Sequence, residues 1–231
     1  MVDWKDIPWR KLERYVFRLQ RRIFKASQQD NRQVVRRLQK TLIRSQAAKT
    51  LAVRQVTQDN QGKKTAGIDG VKSLTPTQRT KLVHSLKIST QAQPTRRVWI
   101  PKPQSGEKRP LGIPTMHDRA LQALVKKALE PEWEAQFEPN SYGFRPGRSA
   151  HDAIQAIFSA ICNKTRFVLD ADIAKCLDRI NHDALLAKLN TFPTLRRLIK
   201  SWLKSGVMDG EALFPTEEGT PQGGVSALRS A

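Results

Sequence analysis

The sequence predicts an α+β protein, and three observations carry that reading. Apolar residues recur at helical spacing through the first quarter of the chain. Two short strand-like runs bounded by prolines bracket a turn between residues 96 and 115. An apolar run, Phe167-Val168-Leu169, leads through Asp170 and Asp172 into helical sequence. At 231 residues and 39% hydrophobic content the chain can bury a real core, which excludes a disordered protein. The expected division is a basic helical region over 1–90 and a mixed region over 91–231.

No apolar run approaches the roughly 20 residues that span a bilayer. Met1-Val2-Asp3-Trp4-Lys5-Asp6 has no apolar core of a signal peptide. Cys162 and Cys176 make no disulfide framework, so a reduced, cytoplasmic protein without a membrane partner is expected. Charge is the dominant global property: 41 Lys and Arg against 21 Asp and Glu give +20. A chain this basic meets a polyanion, with nucleic acid the first candidate.

Residues 1–58 hold fifteen Lys and Arg but four acids, and so carry more than half of the net charge. Asp6 is expected to cap a helix with Pro8 in its first turn. Trp9, Leu12, Val16, Leu19 and Ile23 form its apolar stripe, with Arg10, Arg14, Arg18 and Arg21 largely off it. Asp30 or Asn31 caps a second helix with Val34, Val35, Leu38, Leu42 and Ile43 inward and Arg36 and Arg37 available. The acids that balance an ordinary solvated face are missing, which favours phosphate contacts by these arginines. Residues 59–75 read as a loop, with Lys63, Lys64 and Gly67-Ile68-Asp69-Gly70, and Thr75-Pro76 starts a further helix ending near Ile88.

Arg96 to Pro103 and Lys108 to Thr115 read as an edge hairpin, because Pro101, Pro103, Pro110 and Pro114 are unsuited to central strands. His117–Phe137 reads as one helix that Pro131 kinks or divides. The aromatic and arginine loop Asn140 to Ser149 follows, with Ser149 capping a helix through Ile154, Ile157 and Ile161. Phe167–Leu169 is then expected as a buried strand, placing Asp170 and Asp172 on one face. Two neighbouring carboxylates repel, and Mg²⁺ relieves that repulsion, binding one or two carboxylates plus substrate phosphates; a helix cap with a solvated neighbour is the alternative. Helices over 183–189 and 194–204 and a hairpin over 206–218 complete the reading.

Together these stretches resemble the reverse transcriptases encoded by group II introns, which also act as maturases. Arg97-Val98-Trp99-Ile100-Pro101-Lys102-Pro103 with Lys108-Arg109-Pro110-Leu111-Gly112-Ile113-Pro114-Thr115 looks like their fingers hairpin, followed by Asp118-Arg119. Ser141-Tyr142-Gly143-Phe144-Arg145-Pro146-Gly147-Arg148-Ser149, the segment around Asp172, and Gly219-Thr220-Pro221-Gln222-Gly223-Gly224 follow in the family's order. The resemblance implies right-hand polymerase fingers and a partial palm behind a basic helical N-terminal extension. It implies RNA-directed DNA polymerisation in the complete enzyme, with Mg²⁺ as cofactor and intron RNA, template–primer and dNTP as partners. It makes Asp172 the catalytic metal ligand, with Ile173 beside it, and Asp170 a neighbour. Lys108, Arg109, Leu177 and Gln222 become nucleotide contacts, and Arg10, Arg14, Arg18, Arg21, Arg36, Arg37, Lys63 and Lys64 become RNA contacts.

Two departures are visible. Leu177 stands where the family carries an aromatic beneath the nucleotide sugar. The family's Tyr-x-Asp-Asp block, which supplies further catalytic carboxylates, is absent from the 231 residues. A truncated, inactive polypeptide with exposed apolar surface is therefore expected. A non-catalytic intron-RNA-binding module and a decayed gene fragment are the competing readings.

Overall fold

The computed structural model of the chain describes residues 3–88, 91–101, 106, 108–162, 165, 167–174 and 176–220. Pro8, which fixes its own φ, directly precedes the first long helix, α1 (Trp9–Gln28). Asp6 lies in a separate turn, Trp4–Asp6, and no side chain caps α1, which corrects the capping expected of it. Asn31 caps α2 (Arg32–Arg44) by accepting the Val34 amide, and Ser45 both ends α2 and caps α3 (Gln46–Arg54) through the Ala48 amide. A π-turn over Gln55–Asp59 and a 3-10 turn over Gln61–Lys64 carry the chain into the loop. Thr75 and Gln78 then form a reciprocal capping box for α4 (Pro76–Ser85).

The stripes read from the sequence face the core. Val16, Leu19 and Ile23 of α1 and Val35, Leu38, Leu42 and Ile43 of α2 are buried against α5 (Met116–Glu134). α5 contributes Leu121, Leu124, Val125 and Ala128. Pro131 does not divide α5, which runs on to Glu134. A proline lacks the amide that would bond the carbonyl four residues earlier. That carbonyl, on Lys127, accepts instead from the Gln20 side chain of α1 at 3.0 Å. One turn on, Glu132 is buried but paired: Arg36 donates to its carboxylate at 2.9 Å and Gln39 at 2.6 Å. These bonds fasten α2 to α5.

The sheet has the order β2-β1-β3-β4. β1 (Thr95–Pro101) and β2 (Lys108–Ile113) are antiparallel, with Trp99 opposite Pro110. Pro110 is tolerated because β2 is an edge strand. β1 is not at an edge along its whole length: β3 (Val207–Asp209) pairs with Thr95 and Arg96 in parallel. β3 and β4 (Ala212–Phe214) form the hairpin expected near the C-terminal end of the sequence. α6 (Ala150–Ile161) starts at a Ser149–Asp152 capping box, whose hydroxyl and amide bonds hold the Asp152 carboxyl below its ordinary pKa. α7 (His182–Leu189) and α8 (Pro193–Leu203) pack together, with Leu186, Leu195 and Leu198 buried.

The expectation of a buried strand at Phe167–Leu169 is corrected. These residues take no strand conformation, and Phe167, Val168 and Leu169 are 109%, 80% and 90% exposed. An isolated strand leaves its amides and carbonyls unpaired, and none of β1 to β4 lies beside this segment. α6 likewise exposes Ile154, Ile157, Phe158 and Ile161 and buries none of its described residues.

The Gln20 bond yields a stability prediction. Gln20→Ala lowers unfolding free energy by about 1–3 kcal/mol, because the Lys127 carbonyl loses its donor. In a Pro131→Ala background the restored helical amide takes that carbonyl, and Gln20→Ala becomes nearly neutral. Urea denaturation of the four proteins measures the coupling; equal effects in both backgrounds would refute it.

Candidate functional site

Thr115 ends the fingers hairpin and caps α5 by accepting the Asp118 amide. The capping turn makes Asp118 and Arg119 the first polar residues of α5 buried in the protein, each 4% exposed. The Asp118 carboxylate accepts from the Thr115 hydroxyl at 3.0 Å, the Gln93 amide at 3.2 Å and the Trp202 indole at 3.2 Å. It thereby joins the approach to β1 to α8. Arg119 points the other way. Its guanidinium donates to the carbonyls of Pro114 at 2.9 Å, Gly62 at 2.9 Å and Thr65 at 2.5 Å. Burial lowers its pKa, Asp69 opposes that shift and Arg96 adds to it.

The Gly67–Gly70 loop closes on the same helix start. Asp69 accepts the Met116 amide at 3.1 Å, an acid at the positive end of α5. Gly67 lies so close that an added Cβ would sit 2.6 Å from the Pro114 carbonyl oxygen. The loop is thus a docked element carrying Lys63 and Lys64. Lys64 is exposed, whereas the Lys63 ammonium donates to the Gln58 carbonyl at 2.6 Å.

The second half of the site assembles around Gly219. The turn Cys176–Asp178 follows Asp172, and the Thr220 amide donates to the Leu177 carbonyl at 2.7 Å. The Gly219 amide donates to the Ile180 carbonyl at 2.9 Å, and the His182 ring donates to the Gly219 carbonyl at 2.7 Å. Gly219 has φ +78°, and a Cβ there would stand 2.6 Å from the Asp178 carbonyl oxygen. Pro110, Leu111 and Gly112 of the hairpin share a cavity of about 150 Å³ with Asp178, Gly219 and Thr220. The hairpin, the turn after Asp172 and the start of the Gly219-Thr220 block are therefore brought together.

Asp172 and Ile173 are not drawn into that cluster: both are exposed on the unpaired segment, Ile173 at 72%. Leu177 is 42% exposed, and its backbone rather than its side chain makes the contact described. Lys108 and Arg109 are exposed at the start of β2, opposite Pro101 and Ile100. Gln222, with Pro221, Gly223 and Gly224, lies outside the described residues. Among the described residues no group of three His, Cys, Asp or Glu is placed to hold a metal ion. Asp172 with the Ile173 carbonyl does not by itself make a complete Mg²⁺ site.

Arg10, Arg14, Arg18 and Arg21 are exposed along α1, and Arg37 is exposed on α2. Arg36 is half-buried and, unlike these cations, already engaged. It pairs with Glu132 and also donates to the Asn190 carbonyl, so burying Glu132 claims its charge. Sequence reasoning missed Asp118, Arg119 and His182 as organisers. The Thr115-x-x-Asp118 capping pattern was a usable signal for the first. Two of the three carbonyl partners of Arg119, and that of His182, lie 37 to 57 residues away and leave no local trace.

A basic helical region, a hairpin that carries Lys108 and Arg109 and a turn that receives Gly219-Thr220 are the arrangement of a domain of the reverse transcriptase class. The profile of the N-terminal domain of reverse transcriptase matches residues 4–86, and that of the reverse transcriptase (RNA-dependent DNA polymerase) matches residues 100–228. The chain belongs to the reverse transcriptase family, and its relatives are group II intron-encoded proteins. It is 36% identical to the group II intron-encoded protein LtrA of Lactococcus lactis over 210 residues, covering 88% of this chain and 35% of that protein. It is 36% identical to protein YkfC of Escherichia coli over 185 residues, 74% of this chain and 48% of that one. Maturase-like protein 1 of Euglena gracilis is 33% identical over 201 residues, 80% of this chain and 42% of that one. The chain thus spans about a third to a half of the length of these relatives.

The Gly219 contact is testable on the chain itself. Gly219→Ala meets both a disfavoured φ and the Asp178 carbonyl, at a cost of about 1–3 kcal/mol. The amides of Gly219 and Thr220 are expected to exchange at least tenfold faster by hydrogen–deuterium mass spectrometry, with α1 and α2 unchanged. Unaltered exchange at 217–220 would show that the turn does not depend on glycine there.

Proposed function

We propose that this chain supplies the RNA-gripping N-terminal region, the fingers and the first catalytic carboxylate of a group II intron reverse transcriptase and maturase. The observation that supports this reading most directly is the docking of Gly219-Thr220 onto the turn that follows Asp172, beside the basic hairpin. In a nucleotidyl transferase these parts must meet at the incoming nucleotide. Asp172 would bind metal in the complete enzyme, which as a reverse transcriptase depends on a divalent ion. Lys108 and Arg109 would grip the triphosphate from the hairpin, since guanidinium and ammonium donors stabilise charge on transferring phosphoryl groups. Leu177 and Gln222 would contact sugar and base pair. Leucine fills less volume than an aromatic, so Leu177 would discriminate weakly between sugars. Intron RNA, template–primer and dNTP are the proposed partners, with Arg10, Arg14, Arg18, Arg21, Arg37, Lys63 and Lys64 on phosphates. The division at about residue 90, between the helical region and the fingers and palm, belongs to this proposal.

A second reading is favoured by one observation: the cationic helices are well formed while Asp172 stands exposed on an unpaired segment. In that reading the chain binds intron RNA and assists splicing without chemistry. No helix among the described residues is long and apolar enough to cross a membrane.

Two assays on the 231-residue polypeptide test these assignments. With Mg²⁺, dNTPs and a primed RNA template it is expected to give no extension, because it carries no Tyr-x-Asp-Asp block. Template-dependent product would refute that. In filter binding to structured intron RNA, reversing Arg10, Arg14, Arg18 and Arg21 to glutamate lowers affinity at least tenfold and flattens the salt dependence. Asp172→Ala leaves affinity unchanged. An Asp172-dependent affinity with no effect of the arginines would overturn the assignment of these residues.

A further inference from the structure

A basic surface apart from the α1 arginines runs across α2. Arg37, Lys40 and Arg44 lie on one side of that helix, and with Tyr15 of α1 they line an open groove of about 710 Å³. Lys40 and Arg44 also belong to a second groove, about 360 Å³, completed by Lys49 and Lys87. The two grooves therefore adjoin at Lys40 and Arg44. Among the described residues no acid lines either one; Arg36, which also lines the first, pairs with Glu132, whereas Arg37, Lys40, Arg44, Lys49 and Lys87 enter no ion pair. The floor of the second groove is apolar: Ile43, Leu86, Ile88, Leu124 and Phe192. The Lys40 ammonium sits 5.2 Å from the centre of the Phe192 ring, so cation and aromatic face share one space.

We infer that this groove is a binding track for single-stranded RNA, distinct from the α1 surface, with phosphates on the cationic walls and an unpaired base on the floor at Phe192. The inference rests on the reading of the chain as RNA-binding and assigns to it Lys40, Arg44, Lys49, Lys87 and Phe192. Cations alone would suit any polyanion. The recessed apolar floor selects among them, because a duplex keeps its bases stacked inside and presents only backbone and groove edges to such a cleft. A flexible strand offers phosphates at the rim and a flat base to an aromatic or apolar surface. A bilayer is a poorer fit, since the apolar residues lie at the bottom of a cleft and not on a projecting face.

The test uses the 231-residue chain, a fluorescent dodecauridylate, an RNA duplex of the same length and phosphatidylserine vesicles. Lys40, Arg44 and Lys87 are exposed, so Lys40→Glu/Arg44→Glu/Lys87→Glu is compatible with the fold, which circular dichroism checks. This variant is expected to bind dodecauridylate at least tenfold more weakly. Its slope of log K against log salt should shrink by about 2, the value for three single-strand phosphate contacts. Duplex affinity should change less than threefold. A 4-thiouridine version of the strand should crosslink to the peptide holding Ile88 or Phe192.

If the triple variant leaves strand affinity and slope intact while Arg10→Glu/Arg14→Glu/Arg18→Glu abolishes binding, the groove is refuted and the RNA-binding reading stands. If neither variant weakens binding, both fall. Equal loss of strand and duplex would refute the single-strand preference. Loss of vesicle binding with RNA affinity intact would make the groove a membrane contact and overturn the inference.

Discussion

A buried guanidinium with no carboxylate bonded to it holds two parts of this protein together. Arg119 reaches three backbone carbonyls, one at the end of the hairpin and two in the loop after the N-terminal helices. A charge taken from water needs close hydrogen-bonding partners, and the planar fork of arginine supplies several donors in fixed directions. Asp118, one residue earlier, fixes the opposite side through Gln93 and Trp202. The first turn of α5 is consequently where the basic helical region, the fingers hairpin and α8 take their relative positions. The lysine-bearing loop and the hairpin that carries Lys108 and Arg109 are set by the same few bonds.

The helices were largely legible in the sequence, because each signals its own ends and its own buried face. Asn31, Thr75, Ser149 and the Val16-Leu19-Ile23 stripe are local features that tertiary context left intact. The site was legible only in part. The order of the motifs pointed to the hairpin and to the Gly219 block, and these do converge on one cavity. The failures share a physical cause. Whether Phe167–Leu169 forms a strand depends on a neighbour that the segment does not encode. Whether Arg36 is free depends on Glu132, 96 residues away. Strand pairing and ion pairing are properties of two segments, and periodicity describes one.

The two halves of the structure differ in how completely they satisfy their own surfaces. The N-terminal helices bury their apolar faces on α5 and leave cations outward, a finished arrangement for meeting a polyanion. α6 and the Phe167–Ile173 segment leave apolar side chains in solvent, an arrangement that favours association with further protein. The proposed RNA contacts therefore lie on well-packed elements, while the carboxylate proposed for chemistry sits on a segment that is exposed throughout.

Pro131 denies the Lys127 carbonyl of α5 its usual helical donor, and Gln20 of α1 donates to it. A proline of this kind works as an index mark on an otherwise uniform rod. Ridge-and-groove contacts between helices repeat with each turn, so a slide of α1 by one turn, about 5.4 Å, would cost little in apolar contact alone. It would, however, move Gln20 away from Lys127 and strand that carbonyl. The row of arginines on α1 is thereby held at one axial setting relative to the fingers. An RNA gripped by that row would be delivered to the polymerase at a fixed offset, a distance written into the protein by a residue normally regarded as a helix breaker.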